Sequence, residues 1–453
     1  MRLVILGTGY VGLVSAACFA EFGFEVIGVD IDQQKIAALQ NGGLPIYEPG
    51  LQNILQKNQA AQRISFTCDL IAALAEADLI FLAIGTPSTV DGKVDLNSIF
   101  SAVRTVAPLL KKYTPIIVKS TVPPGTCRTL KQEILRVNPY AKFDIISNPE
   151  FLREGAAVQD FMQPDRIIVG LDNTANRDIM VNLYRPLHLQ QVPIVFTNLE
   201  TAELIKYAAN AFLATKIAFI NEVADICEKI DADIQTVSYG MGLDHRIGTQ
   251  FLQAGPGFGG SCFPKDTLGF QVFAQEIFAP SRIVNAVIEA NNHRKIACVD
   301  RIISACNGSV RAKEIAVLGV AFKANTDDIR ESPALNIISG LLANGAHVRV
   351  FDPAAMPNAK QYFHAAKNIT YATSIKECIN KANAVLILTE WQEFRALNLV
   401  EVENLLCAYD QHLPKLFMDF RNIYSSKDFQ SLSLRYISVG RPSILYESSN
   451  ATT

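Results

Sequence analysis

A single thiol in a glycine-rich segment is the first feature of this sequence that could do chemistry. The segment reads AGPGFGGSCFPKDT over residues 254–267, with four glycines before Cys262 and the charged pair Lys265 and Asp266 after it. Glycines in such a cluster predict a backbone with positive φ or a close approach to another group. A cysteine held partly as thiolate in such a loop can act as a nucleophile. The alternative is a glycine-rich turn with an incidental buried cysteine.

The start of the chain predicts a dinucleotide site. A strand over Arg2–Leu6 leads into the run GTGYVG, a helical stretch follows, and a second strand over Glu25–Val29 ends at Asp30. The glycines let the backbone approach a pyrophosphate, and the acid accepts from ribose hydroxyls. Asp32 adds negative charge where NADP carries a phosphate, so NAD is favoured. The alternative is a glycine turn that binds nothing. A thiol beside a hydride acceptor is suited to oxidising an aldehyde to an acid.

Polar residues follow three further predicted strands of an α/β pattern. In a parallel sheet these positions lie at the edge where ligands bind. Thr86, Thr121, Glu150 and Glu154 therefore predict the wall of a site, although each threonine alone is typical of a helix cap. The strands are predicted over Asp78–Ile84, Pro115–Lys119 and Phe143–Ser147.

A helix of some thirty residues begins near Thr201. It contains no glycine or proline and is too apolar for a surface helix. Lys206 and Asn210 share one face of it. A lysine among so much apolar surface needs a partner or a function, unless its ammonium reaches solvent. Such a helix commonly links domains and often forms a subunit interface.

The last third of the chain repeats the opening order of strand, glycine, helix, strand and aspartate without the fingerprint glycines. The sequence therefore predicts an α/β fold of two Rossmann-like doubly wound domains, joined by a long central helix and a helical dimerisation region. Three cations there, Lys323, Arg330 and Arg421, are suited to phosphate oxygens, with ordinary surface charge as the alternative. Strands are predicted over Glu314–Leu318, His347–Phe351, Ala384–Leu388 and Leu416–Asp419, and a helix over Pro333–Ala343. The predicted domains are 1–197, 198–306 and 307–441, followed by a polar tail over 442–453.

Composition excludes several classes of function. Hydrophobic residues make up 49% and charged residues 19% of the chain, and the net charge of −3 gives no footprint for nucleic acid or an anionic membrane. The apolar stretch Leu204–Ile220 carries lysines, so a buried helix is favoured over a membrane span. Nine cysteines without a C-x-x-C pair predict reduced thiols in the cytoplasm, and neither a signal peptide nor a metal site is expected.

Six motifs in order, GTGYVG, KSTVPPGT, NPEFLREG, ELIKYAANAF, GFGGSCFPKD and GVAFK, resemble the UDP-glucose/GDP-mannose dehydrogenase family over nearly the whole chain. The resemblance implies an NAD-binding domain, a central helix in a dimer core or a larger assembly of dimers, and a domain for the nucleotide sugar. It implies NAD-dependent twofold oxidation of a sugar 6-hydroxyl to a carboxylate through a thiohemiacetal and a thioester on Cys262. The residues near the thiol favour UDP-glucose. GDP-mannose, a UDP-N-acetylhexosamine, and a non-catalytic NAD-responsive regulator are the alternatives.

The resemblance also implies the residues of the site. Besides the nucleophile Cys262, Lys206 stabilises the oxyanion and Asn210 orients water or that oxygen. Asp266 is the general base or positions Lys206, with Thr121 and Glu154 on the water and proton path. The implied cofactor positions are Gly7, Gly9, Tyr10, Val11, Gly12, Asp30, Lys35, Thr86, Thr121, Glu154, Lys265 and Arg330. The implied substrate positions are Glu150, Phe151, Leu152, Arg153, Glu154, Lys206, Asn210, Phe251, Leu252, Gln253, Ala254, Gly255, Gly259, Lys323 and Arg421, with Arg246 reaching the substrate of a neighbouring subunit.

Overall fold

The computed structural model describes residues 1–408 and 415–442. Contacts divide the chain into two units. The first unit comprises Met1–Asn210 and Leu268–Pro280, and the second comprises Ala211–Thr267 and the chain from Ser281 onwards. The predicted polar tail over 442–453 lies outside the described residues apart from Pro442.

An eight-stranded sheet forms the centre of the first unit, in the order β3-β2-β1-β4-β5-β6-β7-β8. Its pairs are parallel except that β7 runs antiparallel to β6. Leu3 and Ile5 pack into the core on one face, and Val4 and Leu6 pack into the core on the other. Burial on both faces explains why these strands read as unbroken apolar runs. The strands are β1 Arg2–Leu6, β2 Glu25–Val29, β3 Ile64–Thr67, β4 Leu79–Leu82, β5 Ile116–Val118, β6 Ile145–Ser147, β7 Ile167–Leu171 and β8 Ile194–Thr197.

Helices cover both faces of this sheet. The connection after β1 is short, because the helix that follows it begins at Tyr10, inside the glycine run. The helices are α1 Tyr10–Glu21, α2 Gln33–Gln40, α3 Leu51–Ala60, α4 Leu70–Ala75, α5 Asn97–Val106, α6 Thr126–Val137, α7 Ala157–Met162, α8 Arg177–Leu183 and α9 Arg185–His188, with short 3₁₀ turns over Ala107–Leu109 and Thr174–Asn176.

The long helix predicted near Thr201 is confirmed as α10, Leu199–Lys229, an unbroken run of 31 residues. Its first turns belong to the first unit and the remainder to the second. Three further helices follow: α11 Ile234–Gly242, α12 Phe263–Glu276 and α13 Arg282–Ala305. Along the described residues, no helix combines the length and apolar composition that crossing a membrane requires.

The described residues of the second unit form a six-stranded parallel sheet in the order β11-β10-β9-β12-β13-β14. This is the 3-2-1-4-5-6 order of a doubly wound dinucleotide fold. The two Rossmann-like domains joined by α10 confirm the predicted fold class. The strands are β9 Glu314–Leu318, β10 His347–Phe351, β11 Ile369–Tyr371, β12 Ala384–Ile387, β13 Lys415–Asp419 and β14 Leu434–Ser438. The helices are α14 Pro333–Ala343, α15 Met356–Tyr362, α16 Ile375–Ile379, α17 Gln392–Arg395 and α18 Leu399–Leu405, with a 3₁₀ turn over Ser426–Phe429.

Candidate active site

The glycine run after β1 has the shape of a pyrophosphate site. Gly7 has φ of +93°, and a Cβ there would lie 2.5 Å from the carbonyl oxygen of Ala83. A Cβ on Gly12 would lie 1.9 Å from the Gly7 carbonyl oxygen, so both positions require glycine. A Cβ on Gly9 would meet no described atom within 4 Å, and no described side chain caps the helix that starts at Tyr10. The open helix N-terminus therefore fits the pyrophosphate of a dinucleotide.

Asp30 follows β2 beside this run. Its carboxylate accepts from the Thr8 backbone N–H at 2.8 Å and the Thr8 hydroxyl at 2.9 Å, and it pairs with Lys35 Nζ at 3.2 Å. Burial opposes ionisation of Asp30, but these hydrogen bonds and one from the Asp32 N–H bring its pKa below its ordinary value. Asp32 itself caps α2 by accepting from the N–H groups of Gln34 and Lys35. Asp30 is thus an ionised acceptor suited to ribose hydroxyls.

The two threonines at neighbouring strand ends meet each other rather than capping helices. The Thr86 hydroxyl, after β4, donates to the Thr121 carbonyl, after β5, at 2.8 Å. The Ser120 hydroxyl donates to the Ile84 carbonyl at 2.7 Å and ties the same two loops together. The structure therefore brings these predicted residues into one wall at the carboxyl edge of the first sheet.

Lys206 has a buried partner. Its Nζ lies 3.1 Å from Glu150 Oε1, and the two side chains are 3% and 5% exposed. The Phe151 ring centroid lies 5.3 Å from the same ammonium. The alternative that Lys206 extends to solvent is wrong. Asn210, one turn further along α10, is also buried. The first turns of α10 thus join the loop after β6 through an ion pair.

The rest of that loop is held by α7. Arg153 forms a two-point ion pair with Asp160, through Nε at 3.0 Å and a terminal nitrogen at 2.7 Å. Glu154 is buried, and Leu152 is half-buried. These predicted residues therefore lie on one short ordered segment of the first unit.

Three buried charged residues near these loops are absent from the predicted site. The Glu203 carboxylate on α10 accepts from the N–H groups of Gly125 and Cys127, at 2.6 and 2.7 Å, at the start of α6. Burial raises the pKa of Glu203, although both amides favour its ionised form. The Glu48 carboxylate accepts from backbone amides at the start of α7. Glu203 is one of several acids on α10, so the sequence gives no signal that singles out either Glu203 or Glu48.

Lys119, at the end of β5, is the third buried charged residue that is absent from the predicted site. Its ammonium donates to Asn148 Oδ1 at 3.2 Å and to the Tyr184 hydroxyl at 3.4 Å. Burial lowers the pKa of Lys119 to about 8, against the opposing charge of Glu150. A charge closing the apolar run PIIVK is the sequence signal that could have identified it.

In the second unit, the glycines before the thiol take the backbone shapes that their clustering predicts. Gly257 and Gly260 have φ of +115° and +84°. A Cβ on Gly259 would lie 2.3 Å from the Glu331 carbonyl oxygen, and the Gly260 N–H donates to the Arg330 carbonyl at 2.8 Å. The prediction of positive φ and close approach is confirmed, and the loop is shaped by residues that follow β9.

Cys262 immediately precedes α12 and is partly exposed. The positive end of a helix stabilises a thiolate in such a position. The Ser261 hydroxyl lies 3.6 Å from the sulfur. Lys265 Nζ pairs with Asp266 Oδ1 at 2.6 Å, and the buried Asp266 donates its N–H to the Cys262 carbonyl. All nine cysteines lie in the described residues, and none of them forms a disulfide.

The segment over 251–255 contacts the end of β13. Phe251 has φ of +64°, a conformation that is a genuine outlier for an aromatic residue and is typical of functional sites. The Gly255 N–H donates to Asn221 Oδ1 at 2.8 Å, and a Cβ on Gly255 would lie 3.4 Å from the Phe420 carbonyl oxygen. Leu252 and Ala254 are buried while Gln253 is exposed.

Arg421 spans the point where the strand order of the second sheet reverses. Its guanidinium donates to the carbonyls of Leu388 and Phe322, at 2.8 and 2.7 Å, and pairs with Glu390 at 3.2 Å. Ligands bind at this point in doubly wound sheets. Lys323 Nζ lies 5.4 Å from the Phe322 ring centroid.

Two further predicted arginines lie on exposed parts of the second unit. Arg330 pairs with Asp328, and Arg246 pairs with Asp244. Their side chains are 65% and 80% exposed.

Three family models match the chain in order. They describe the UDP-glucose/GDP-mannose dehydrogenase family: its NAD binding domain matches residues 1–188, its central domain 200–293 and its UDP binding domain 316–426. A UDP-glucose 6-dehydrogenase of Rhizobium meliloti (strain 1021) is 46% identical over 445 residues, 98% of this chain and 100% of that protein. The chain belongs to the UDP-glucose/GDP-mannose dehydrogenase family. A second relative, UDP-glucose 6-dehydrogenase TuaD of Bacillus subtilis (strain 168), is 44% identical and covers 98% of this chain and 94% of its own length.

Solved structures agree with the family. A UDP-glucose dehydrogenase from Pyrobaculum islandicum superposes with a TM-score of 0.88 at 35% identity, over 97% of this chain and 98% of that one. The UDP-D-ManNAc dehydrogenase from Pyrococcus horikoshii shares the fold, with a TM-score of 0.84 at 24% identity. The NAD binding domain of the family contains the glycine run and Asp30, which identifies NAD as the cofactor. The UDP binding domain contains Lys323, Arg330 and Arg421.

Proposed function

We propose that this chain oxidises the 6-hydroxyl of UDP-glucose to the carboxylate of UDP-glucuronate, with two NAD reduced per sugar nucleotide. Family membership supplies NAD and a UDP-sugar. The choice of UDP-glucose rests on the names of relatives that match the full length at 44–46% identity. The observation that carries the chemistry is the partly exposed Cys262 at the N-terminus of α12.

A thiol is needed because an alcohol becomes a carboxylate by loss of four electrons in two stages. The first stage leaves an aldehyde, which Cys262 retains as a thiohemiacetal. Oxidation of that adduct gives a thioester, and water then releases the acid and restores the thiol. NAD supplies the hydride acceptor at each stage.

The remaining roles follow from burial and charge. Lys206, buried and paired with Glu150, donates to the oxyanion of the tetrahedral stages, and the neighbouring Asn210 orients water or that oxygen. The buried Asp266 acts as general base or positions Lys206. Thr121 and Glu154 shape the path of water and protons.

We further propose that the assembly is a homodimer built on the second unit. Exposed apolar side chains recur every seven residues along α10, which places them on one helical face. A second copy of this chain is the natural cover for such a stripe, and the exposed Arg246 is then free to reach a neighbouring subunit's substrate. The stripe consists of Phe212, Phe219 and Ile226, with Ile230 just beyond the helix. The three-domain boundaries and a cytoplasmic location remain predictions from the sequence.

The decisive experiment measures NADH released per sugar nucleotide by the purified wild-type chain. We expect two NADH per UDP-glucose and much slower turnover of GDP-mannose and UDP-N-acetylhexosamines. A non-catalytic regulator would release none, and faster turnover of another sugar nucleotide would contradict the assignment to UDP-glucose. For the assembly, Phe219→Asp should yield monomers in light scattering, whereas an unchanged mass would refute the proposed interface.

A further inference from the structure

Glu48 is a buried carboxylate outside the residues assigned so far. It lies in the connection between α2 and α3 and is 5% exposed. Its oxygens accept from the Gly155 N–H at 2.7 Å, the Ala157 N–H at 2.8 Å and the Val158 N–H at 3.3 Å. The Tyr10 hydroxyl also donates to it. A buried carboxylate with this many donors is a tertiary anchor, because charge-assisted hydrogen bonds are about twice as strong as neutral ones.

The donors come from two functional segments. Tyr10 is the first residue of α1, directly after Gly9 of the pyrophosphate loop. Gly155 follows Glu154, at the end of the loop that begins with Glu150. The Tyr10 hydroxyl also accepts from the Gly155 N–H at 2.8 Å, so the two segments and Glu48 form a closed triangle of hydrogen bonds.

The anchor extends to the ion pairs of that loop. Glu48 fixes the first turn of α7, and α7 carries Asp160, which holds Arg153. Glu150, at the other end of the loop, pairs with Lys206. A change at Glu48 therefore alters the support of the whole segment 150–156 as well as the direction of the Tyr10 ring.

We infer that Glu48 is a positioning residue that couples the cofactor loop to the substrate loop. The inference rests on the proposed function, since it takes Glu150–Glu154 of this segment as positions that bind the sugar nucleotide. Its consequence is that loss of the Glu48 charge weakens the binding of both ligands together, although Glu48 touches neither reacting group.

The test compares Glu48→Gln, Tyr10→Phe and the double variant with wild type. Glutamine keeps the size but turns one acceptor into a donor, so the KM values for NAD and UDP-glucose should each rise about tenfold or more. Tyr10→Phe should raise both in the same direction, and the double variant should be no worse than Glu48→Gln alone, because both variants break one network. Fluorescence titration gives the Kd for NAD independently of turnover.

Glu21→Gln is the matched control. Glu21 is the last residue of α1, at the opposite end of that helix from the pyrophosphate loop, where it accepts from Asn58 Nδ2 at 2.9 Å and pairs with Lys57. It should lower the Tm without moving either KM. If Glu48→Gln behaves like this control, if one KM alone rises, or if the effects of Glu48 and Tyr10 simply add, the inference is overturned. If Glu48→Gln does not fold, unchanged KM values in Tyr10→Phe overturn it equally. A wild type that leaves UDP-glucose unoxidised refutes the proposed function instead, and the NAD titration still reports on Glu48.

Discussion

The two sheets have the same strand order around their first strands, but the turn after the first strand is open in one sheet and closed in the other. In both sheets, an aspartate after the second strand accepts hydrogen bonds from the loop after the first strand. Asp30 accepts from the Thr8 N–H and remains next to an open helix N-terminus. Asp352, fully buried, accepts from the N–H groups of Val320 and Ala321, at 2.7 and 3.0 Å, and from the Trp391 indole.

The helices that follow the two first strands also differ, since no described side chain caps α1, whereas α14 has a side-chain cap. In the second sheet, α14 begins at Pro333, well after β9 ends at Leu318, and Ser332 caps it by accepting from the Ala334 N–H. The intervening residues Arg330 and Glu331 instead shape the loop before Cys262. One topology thus leaves its first turn open for the cofactor in the first sheet. In the second sheet, an aspartate and a serine close that turn, and the residues after it shape the loop of the proposed nucleophile.

The largest test of this comparison is at the thiol that the second domain supports. Cys262→Ala should abolish UDP-glucuronate formation, because no thiol is then present to bind the aldehyde covalently. The product is measured by chromatography after prolonged incubation with UDP-glucose and NAD. Cys68→Ala, which removes an exposed thiol of the first unit, should leave the rate unchanged. Undiminished UDP-glucuronate from Cys262→Ala would show that the second domain does not supply the nucleophile.

The next test is at the ion pair of the first unit. Lys206→Ala should lower kcat by about 10²–10³-fold, the usual cost of removing one oxyanion donor. Lys229→Ala, at the exposed end of the same helix, is the control and should retain the wild-type kcat. An effect confined to the KM of UDP-glucose would mean that Lys206 only binds substrate.

Paired substitution of the two aspartates tests the comparison directly. Asp30→Ala should raise the KM for NAD about tenfold, since it removes a charged hydrogen-bond acceptor. Asp352→Ala should leave that KM unchanged and lower the free energy of unfolding by about 3 kcal/mol, because it strands buried N–H groups. Urea titration and NAD kinetics on both variants measure this. The same response from both aspartates would remove the distinction between an open and a closed turn.

The smallest test concerns the end of the fifth strand, where each sheet buries a charge: Lys119 in the first and Asp419 in the second. Burial holds the pKa of Lys119 at about 8 rather than 10.5. Between these two pH values the unfolded chain keeps a proton that the folded chain has released, so the free energy of unfolding rises with pH. Below this window the folded protein bears the full cost of burying a charged ammonium. Lys119→Met should flatten the rise by about 3 kcal/mol in urea titrations. The exposed Lys112→Met should not, and an equal slope in wild type and Lys119→Met would contradict a buried ammonium.

The sequence predicts the fold well where burial follows a simple rule. Glu314–Leu318, His347–Phe351 and Pro333–Ala343 have the bounds observed, because each is an apolar run between clear breaking residues. Three first-unit strands are shorter than predicted, because the ladder covers only the central residues of each run: they span Leu79–Leu82, Ile116–Val118 and Ile145–Ser147.

The site was less predictable where partners are distant in the chain. The sequence indicates that Lys206 needs a partner, but Glu150 becomes that partner only through the sheet. Glu48 and Glu203 are bound by backbone amides, whose exposure depends on how turns fold and leaves no trace in residue type.

The close approach of Gly259 to Glu331 has a consequence for how the protein is made. The ribosome releases the chain from its N-terminus at about 5–20 residues per second, so the first sheet is complete before the partners of the Cys262 loop exist. A nascent chain that stops before Glu314 carries the sulfur without the backbone that shapes its surroundings. On the proposed chemistry, half-made copies therefore cannot complete the oxidation, which begins only when the second sheet has been translated.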